Sequence, residues 1–547
     1  MKNEIDFMAD IDESITLEHA IKMIYAARRG YLKQLEEKVL LSNKVAYLTL
    51  KLFGKSSEKV QKQPDPQVFD EAKATLQEVG EDAPLTIQTE GLDGAVNTVS
   101  KPPKERKSGG RKPIPKGFPR RDVIHDLDEN QKQCPCGCAL SKIGEEVSEQ
   151  LDMIPAQIYV NRHVRLKYAC KKCQDTVKIA ATQQAAIPKT LAAPGLLAHV
   201  AVMKYDDHLP LYRQSEIWAR LDVDLSRSTL SSWVLKMGSA LTPVTNYLRQ
   251  HIIKCGYVQA DETPCQVLKT PGKAAQSASY MWVYLTGNHP KPAVIFDYQQ
   301  SRKGTFAKDF LNTFQGVLQT DGYAGYHGVT DLEGIAAQGC WAHARRKFYD
   351  VWKVAQKEGV ASKALDTIGA LYALEREISA FTHAEKRALR QEKAKPILDS
   401  FQRFLLDVKP TVQKKGLLDK AIQYALNQWE SLTYYIQDGA INIDNNAAER
   451  LIKPFAVGRK NWLFMGSPDG AHAAATLYSL IETAKLNDVN PEGYLKFLLK
   501  HKIEEADPIL LEKLMPWNVY IEDAYPKPSL KPKEEDPEPP NIQENTT

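Results

Sequence analysis

The sequence predicts a multidomain α/β protein. Three observations support this. Helical texture dominates residues 14–60, cysteines cluster in residues 134–173, and from Gly256 onward short apolar β-like runs alternate with amphipathic helices. At 547 residues, with 43% hydrophobic and 26% charged residues, the chain can bury several cores. It has no apolar run long enough for a transmembrane helix, and its acidic start, MKNEIDFMADIDESI, lacks the apolar stretch of a secretory signal. A formal charge of +4 says little about partners, so the distribution of charge carries the information.

Residues 1–65 form the first region. Thr16 can cap a helix, and no proline interrupts before Pro64. Leu17, Ile21, Ile24, Tyr31 and Leu35 share a helical spacing, as do Leu41, Val45, Leu48 and Leu52, but the two sets are out of phase and Gly30 lies within the first. This fits a ragged coiled coil, a helical hairpin, or a helix packed on its own chain. Residues 66–122 form a linker whose charge reverses. Residues 66–100 carry seven Asp/Glu against one Lys, whereas residues 101–121 carry nine Lys/Arg against one Glu. Pro and Gly keep the basic part extended, and Arg111 and Lys112 form a Gly-Gly-Arg-Lys-Pro hook suited to phosphate or minor-groove contact.

Residues 123–188 hold five of the eight cysteines: Cys134, Cys136 and Cys138 in one turn, Cys170 and Cys173 in another, with strand-like sequence between them. Two Cys-rich turns joined by strands predict a zinc ribbon with a tetrahedral thiolate site. The second pair supplies two ligands, and two of the first three supply the rest. Clustered cysteines in a chain without a signal also point to a reducing cytoplasm. In residues 189–250, helices are expected at Pro194–Tyr205, Leu211–Leu221 and Arg227–Lys236, with Ser226 capping the third. This pattern suits a helix-turn-helix presenting Arg227, Ser228 and Ser231 to DNA, or a plain three-helix packing.

Residues 251–505 carry the chemistry. Expected strands at Gly256–Ala260, Tyr280–Leu285, Ala293–Phe296, Gly316–Thr320 and Ile335–Cys340, with a helix at Thr305–Phe314, follow the element order of the ribonuclease-H-like fold. Asp261 and Asp321 each follow an apolar strand. Neighbouring first and fourth strands would bring both carboxylates to one sheet edge. A third acid, Glu449, follows a capping Asp444 or Asn445. The 128-residue gap from Asp321 to Glu449 requires an all-α insertion, expected at about 355–435. Three carboxylates without a nearby His pair favour Mg²⁺ or Mn²⁺, bound as a two-ion site for phosphodiester chemistry. Residues 506–547 are expected to be a largely disordered tail, with six prolines in residues 525–547.

These residues carry a resemblance. Phe53-Gly-Lys-Ser-Ser-Glu58, Gly-Arg111-Lys-Pro-Ile-Pro, Glu149-Gln-Leu-Asp-Met-Ile-Pro155, Ala260-Asp-Glu-Thr-Pro264, Thr320-Asp-Gly-Tyr323, Cys340-Trp-Ala-His-Ala-Arg-Arg-Lys-Phe348, Asp444-Asn-Asn-Ala-Ala-Glu-Arg450 and Gly458-Arg-Lys-Asn-Trp462 together resemble the insertion sequence 66 family of bacterial DDE transposases. The resemblance implies Asp261, Asp321 and Glu449 as the metal-binding catalytic triad, a structural zinc, and DNA (terminal inverted repeats and target) as partner. It further implies two small companion proteins; the need to synapse two DNA ends implies a homo-oligomer, and DNA as partner places the expected action in the cytoplasm at the nucleoid. DDE enzymes often place a cation about seven residues after the Glu. Here that position is Ala456, which leaves Lys453, Arg459 and Lys460 as DNA contacts. Cys340 and His343 match a Cys-x2-His signature with a structural role, since two ligands do not complete a zinc site. A nuclease that cuts without joining, and a catalytically dead DNA-binding regulator, are the alternatives.

Overall fold

A computed structural model describes residues 17–53, 158–169, 177–180, 187, 190–356 and 358–519. Arg111, Lys112 and all five clustered cysteines lie outside these residues. The segment Leu17–Phe53 is one continuous helix, α1, and not a hairpin. Ile24, Tyr31, Leu35, Leu41, Val45 and Leu48 are exposed along it, so the chain does not bury them in its own core. Strands β1 (Lys167–Ala169) and β2 (Val177–Ile179) pair antiparallel. The span between them contains Cys170 and Cys173.

The next three helices are α2 (Pro194–Tyr205), α3 (Leu211–Ala219) and α4 (Arg227–Lys254). Ser226 caps α4, its Oγ accepting from the Thr229 N–H at 3.2 Å. The short third helix expected to end at Lys236 is instead 28 residues long and runs through Gly238 and Pro243. Gly238 does not stop it, because there α4 crosses another helix. A Cβ at Gly238 would meet the Ala473 Cα at 2.5 Å. Leu241, Val244, Leu248 and Ile252 of α4 are fully buried in the main core. The helical region and the sheet therefore share one core, without a boundary at residue 250.

The sheet contains β3 (Tyr257–Gln266), β4 (Ala278–Thr286), β5 (Val294–Gln299), β6 (Gly316–Gln319) and β7 (Ile335–Gln338). Its order is β5-β4-β3-β6-β7. The first three strands are antiparallel, and β6 and β7 continue parallel to β3. Helices α5 (Gly304–Phe310) and α6 (His327–Thr330) connect the strands. Helices α7 (Trp341–Ala355), α8 (Val360–Glu377), α9 (His383–Leu389), α10 (Lys395–Val408), α11 (Leu417–Asn427) and α12 (Trp429–Thr433) follow. The chain then returns to the sheet as α13 (Asn446–Trp462), α14 (Pro468–Leu486), α15 (Pro491–Leu498) and α16 (Pro508–Lys513).

Strand β5 lies at the sheet edge, where unpaired N–H groups invite non-native pairing. Helix α14 covers it. Ser479 Oγ accepts from the Phe296 N–H at 2.8 Å and Thr483 Oγ1 from the Val294 N–H at 3.1 Å. The helices after β7 build a second core around Trp341, Phe348, Ile368, Phe401, Ile422 and Tyr435. Buried Arg390 fastens it, bonding Glu375 through two nitrogens and the carbonyls of Tyr435 and Asp438. The expected tail from residue 506 is corrected at its start. Leu511, Leu514 and Met515 are buried, and Glu512 accepts from Lys291, Tyr247, Trp517 and Asn518. These bonds hold the Glu512 carboxyl down at about 2 despite partial burial.

A buried amide network ties the returning chain to the sheet. Gln319 Oε1 accepts from Gln259 Nε2 at 2.6 Å and from the Tyr257 hydroxyl at 2.5 Å. Gln319 Nε2 donates to the carbonyls of Gly339 and Asn442. The Tyr257 hydroxyl accepts the Asn442 N–H, and Gln259 Nε2 reaches the Asp444 carbonyl. Gln319→Ala strands several of these fully buried groups, so a loss of about 2–4 kcal/mol in unfolding free energy is expected. A variant as stable as the parent in urea unfolding would show that the network does not hold the fold.

Candidate active site

The register of the parallel pair fixes the first two acids. Gln259 on β3 stands opposite Gln319 on β6, and this is the last pair of that ladder. Asp261 and Asp321 each lie two residues beyond it, Asp261 still on β3 and Asp321 in the turn that follows β6. Asp261 is not at a strand end as expected. β3 runs five residues further, paired with β4 alone. The sheet opens on the β6 side, and the carboxylates gain room there. Asp321 Oδ1 accepts the Tyr323 N–H at 2.9 Å, an Asx turn that leads the chain away from the sheet. The Asp321 carbonyl accepts the Tyr424 hydroxyl of α11 at 2.7 Å.

The third acid arrives on α13, which is fastened to β3 at both ends. At its start Asn445, fully buried, donates to the Ala260 carbonyl at 3.0 Å. Near its end Arg459 donates to Thr263 Oγ1 and to the Pro264 carbonyl. Glu449 sits in the first turn, half-buried. Asp444, the other acid of that motif, is fully engaged. Its carboxylate accepts the Tyr372 hydroxyl, the Asn446 N–H and the Asn446 side-chain amide. It closes an Asx-type turn just before the helix and has little left for a ligand.

Electrostatics link the three acids. Burial, chiefly, pushes the Asp261 carboxyl up to about 8, with the charges of Glu262, Asp321 and Glu449 acting the same way and the bond from the Glu262 N–H against them. Glu262, adjacent in sequence, belongs to a different set of contacts. It accepts Arg302 through Nε at 2.7 Å and Nη2 at 2.5 Å, and the Tyr326 hydroxyl at 2.7 Å. Arg302 stacks on the Tyr323 ring, 3.7 Å from its centre, and Tyr323 donates back to the Arg302 carbonyl. Glu262, Arg302 and Tyr323 therefore brace the Asp321 turn. Sequence reasoning missed them, although Glu262 and Tyr323 stand inside the two motifs that carry the aspartates.

The chain shows further similarity at the level of whole families. Residues 189–473 match the model of the IS66 transposase family. The chain belongs to that family. Its other characteristic segments match too: the zinc-finger binding domain of IS66 transposases over residues 131–174, the IS66 C-terminal element over 479–517, and a transposase homeodomain element over 40–123. The zinc-finger match includes all five clustered cysteines, and the C-terminal match covers the folded start of the expected tail. Two relatives from Sinorhizobium fredii span nearly the same length. The uncharacterized protein y4jD is 34% identical over 503 residues, covering 89% of this chain and 96% of its own. The uncharacterized protein y4hP is 30% identical over 501 residues, covering 88% of each. Among the described residues no helix is long and apolar enough to cross a membrane.

The DNA-contact residues expected from sequence separate into two kinds. Arg227 and Ser228 are exposed in the first turn of α4, where the Ser228 hydroxyl bonds the Ser226 cap at 2.8 Å. Lys453 and Lys460 are exposed on α13, one and three turns beyond Glu449. Arg459 is committed to β3 and shapes an open groove with Pro264, Gln276, Ser277, Lys460 and Leu463.

A carboxyl raised to about 8 on folding opposes folding increasingly as pH climbs from its unfolded value near ~4. The chelator-treated chain should therefore lose stability between about pH 4 and 8, where the unfolded chain ionises Asp261 and the folded chain keeps it protonated. Asp261→Asn should flatten that decline and raise Tm at pH 8 by several degrees. Parallel Tm-versus-pH curves for the two proteins would assign the decline to other groups.

Proposed function

We propose that this IS66-family chain is a DDE transposase with a ribonuclease-H-like core. It cuts DNA at the ends of its insertion sequence and joins the freed ends to target DNA. The observation that carries this reading is the pair of aspartates, each two residues beyond the last pair of the β3–β6 ladder, with Glu449 near enough to add to the charge at Asp261. The antiparallel-then-parallel sheet order supports the core assignment. The donor set fits hard divalent ions: three carboxylates, with burial and the charges of Asp321 and Glu449 raising Asp261 and, among the described residues, no cation beside it to offset those charges. Asp261, Asp321 and Glu449 would hold Mg²⁺ or Mn²⁺, which supplies an activated oxygen nucleophile and stabilises the leaving oxygen.

The chain's own residues do the rest. The Gln259–Gln319 network and the Arg302–Glu262–Tyr326 brace hold the acids in place before DNA arrives, so little reorganisation is needed. Lys453 and Lys460 on α13 offer charge to backbone phosphates next to the acids. Arg227 and Ser228 offer a second contact from the start of α4, where the helix N-terminus itself favours phosphate. Arg111 and Lys112 add a basic arm. A structural Zn²⁺ held by Cys170, Cys173 and two of Cys134, Cys136 and Cys138 orders the zinc-finger region. Synapsis of two DNA ends calls for a homo-oligomer, and the two companion proteins of the element would act with it. The site of action is the cytoplasm, on the nucleoid.

The test uses labelled DNA carrying the gene's flanking ends, with Mg²⁺ or Mn²⁺ and the companion proteins supplied. Cleaved and joined products are expected from the parent. Asp261→Asn, Asp321→Asn and Glu449→Gln should each lose both by roughly 10³-fold or more while still binding DNA. Cleavage without joining would reduce the reading to a nuclease, and equal activity in Glu449→Gln would remove that residue from the site. Lys453→Ala should weaken binding about equally on all sequences and lower the salt slope by about one unit. An unchanged slope would place phosphate elsewhere.

A further inference from the structure

We propose that Cys340, His343 and Glu449 form a second metal site, for a zinc-class ion, that competes with the catalytic ions for Glu449. Cys340 Sγ, a His343 ring nitrogen and a Glu449 carboxylate oxygen all lie within 4.8 Å of one another. The pair Cys340 and His343 was expected to be structural for want of further ligands. The fold supplies the missing one from α13, 106 residues beyond His343.

Three details point to a ligand rather than to packing. First, His343 Nδ1 stands 3.5 Å from Glu449 Oε1, close to the edge of a zinc tetrahedron, where ligands at ~2.0–2.2 Å from the ion lie roughly 3.3–3.6 Å apart. Second, that nitrogen is buried and has no hydrogen-bond partner, an arrangement that leaves its lone pair available. Third, the sulfur has two backbone donors, although burial pushes its thiol up to about 12, so a bound cation has to displace the proton. Cys340 is fully buried at the N-terminus of the 15-residue helix α7, and the Asn445 N–H points at its Sγ from 3.3 Å. The backbone N–H of His343 also bonds it. Such N–H···S contacts support metal-bound thiolates, and a helix N-terminus favours the anionic sulfur. On binding, the thiol proton leaves to solvent as the sulfur–metal bond forms.

The donor chemistry separates this site from the first. Thiolate and imidazole select a borderline-soft ion such as Zn²⁺, whereas the carboxylates of Asp261 and Asp321 select Mg²⁺ or Mn²⁺. Glu449 is common to both sets. Three protein ligands leave a fourth position for water. The competition rests on the catalytic role proposed for Glu449, but the binding of zinc does not.

The test is zinc content per full-length chain after loading and desalting, without DNA. The five clustered cysteines load their own zinc, so the readout is the difference between proteins. The parent should hold about one zinc more than Cys340→Ser and than His343→Ala. Loaded with Co²⁺, it should show a thiolate-to-cobalt absorption component that Cys340→Ser lacks. His343 is only half-buried, so His343→Ala keeps a folded control, checked by its Tm. Unchanged zinc content in a folded His343→Ala, or a cobalt spectrum unaltered by Cys340→Ser, overturns the site. Zinc lost in both variants while Glu449→Gln still cleaves DNA would keep the site and remove the catalytic reading. Zinc unchanged while Glu449→Gln is inactive would do the reverse.

Discussion

Everything at the site depends on the buried contact between Gln259 and Gln319. Parallel strands supply backbone bonds only within the ladder, and the β3–β6 ladder ends at this pair. Beyond it the strands must separate for the carboxylates to face an open space. The two amides bridge the strands at the point where the ladder stops, and their Nε2 groups also reach the carbonyls of Gly339, Asn442 and Asp444. The segment that returns from the helical insertion is thus fixed against the same residues that end the ladder. Apolar side chains could fill this volume, but they could not set the register of a segment so far away in sequence. A buried polar network can, because misalignment strands further buried groups beside Gln259 Oε1, which already has no partner among the described residues.

The fold accepts an electrostatic cost in exchange for a site. Burial, and then the charges of its neighbours, make ionising Asp261 costly. Glu262 shows how the same strand handles an acid that serves structure. Its carboxylate meets a guanidinium and a hydroxyl, and its neighbour along the chain meets neither. Adjacent residues on a strand point to opposite faces, so the acid on one face is neutralised and the acid on the other is not. The braced face then steadies the open one through Arg302 and Tyr323.

Local sequence disclosed those features that depend on local rules. The apolar runs before Asp261 and Asp321, the Ser226 cap and the all-α texture between residues 355 and 435 each follow from composition or periodicity within a few residues. Features set by distant contacts were hidden. The helix expected to end at Lys236 continues, and Gly238 just beyond that point leaves room for Ala473 to approach. Asp444 and Glu449 look alike as acids at a helix start. Only the Tyr372 hydroxyl, brought from α8, shows that Asp444 is occupied. The polar, proline-rich end of the chain masked the short helix at 508–513, which is held by Leu511 in the core and by bonds to Glu512. Glu449 was legible through its motif, because no spacing rule spans an insertion with a core of its own.

That insertion also explains why one side chain can serve two sets of ligands. Helix α13 cannot slide, since Asn445 holds its start and Arg459 its end to the same strand. Cys340 is equally fixed, with its sulfur against the Asn445 N–H and the next residue, Trp341, sealed into the insertion's core. Backbone motion is therefore excluded as a means of switching. What is left free is the half-exposed carboxylate of Glu449, on a side chain with three rotatable bonds between two anchored donor sets. A rotamer change moves its oxygens by a few ångströms without disturbing a buried contact. The choice between the aspartates on one side and the thiol and imidazole on the other then follows from which ion is present, with the rigid frame keeping both options within reach.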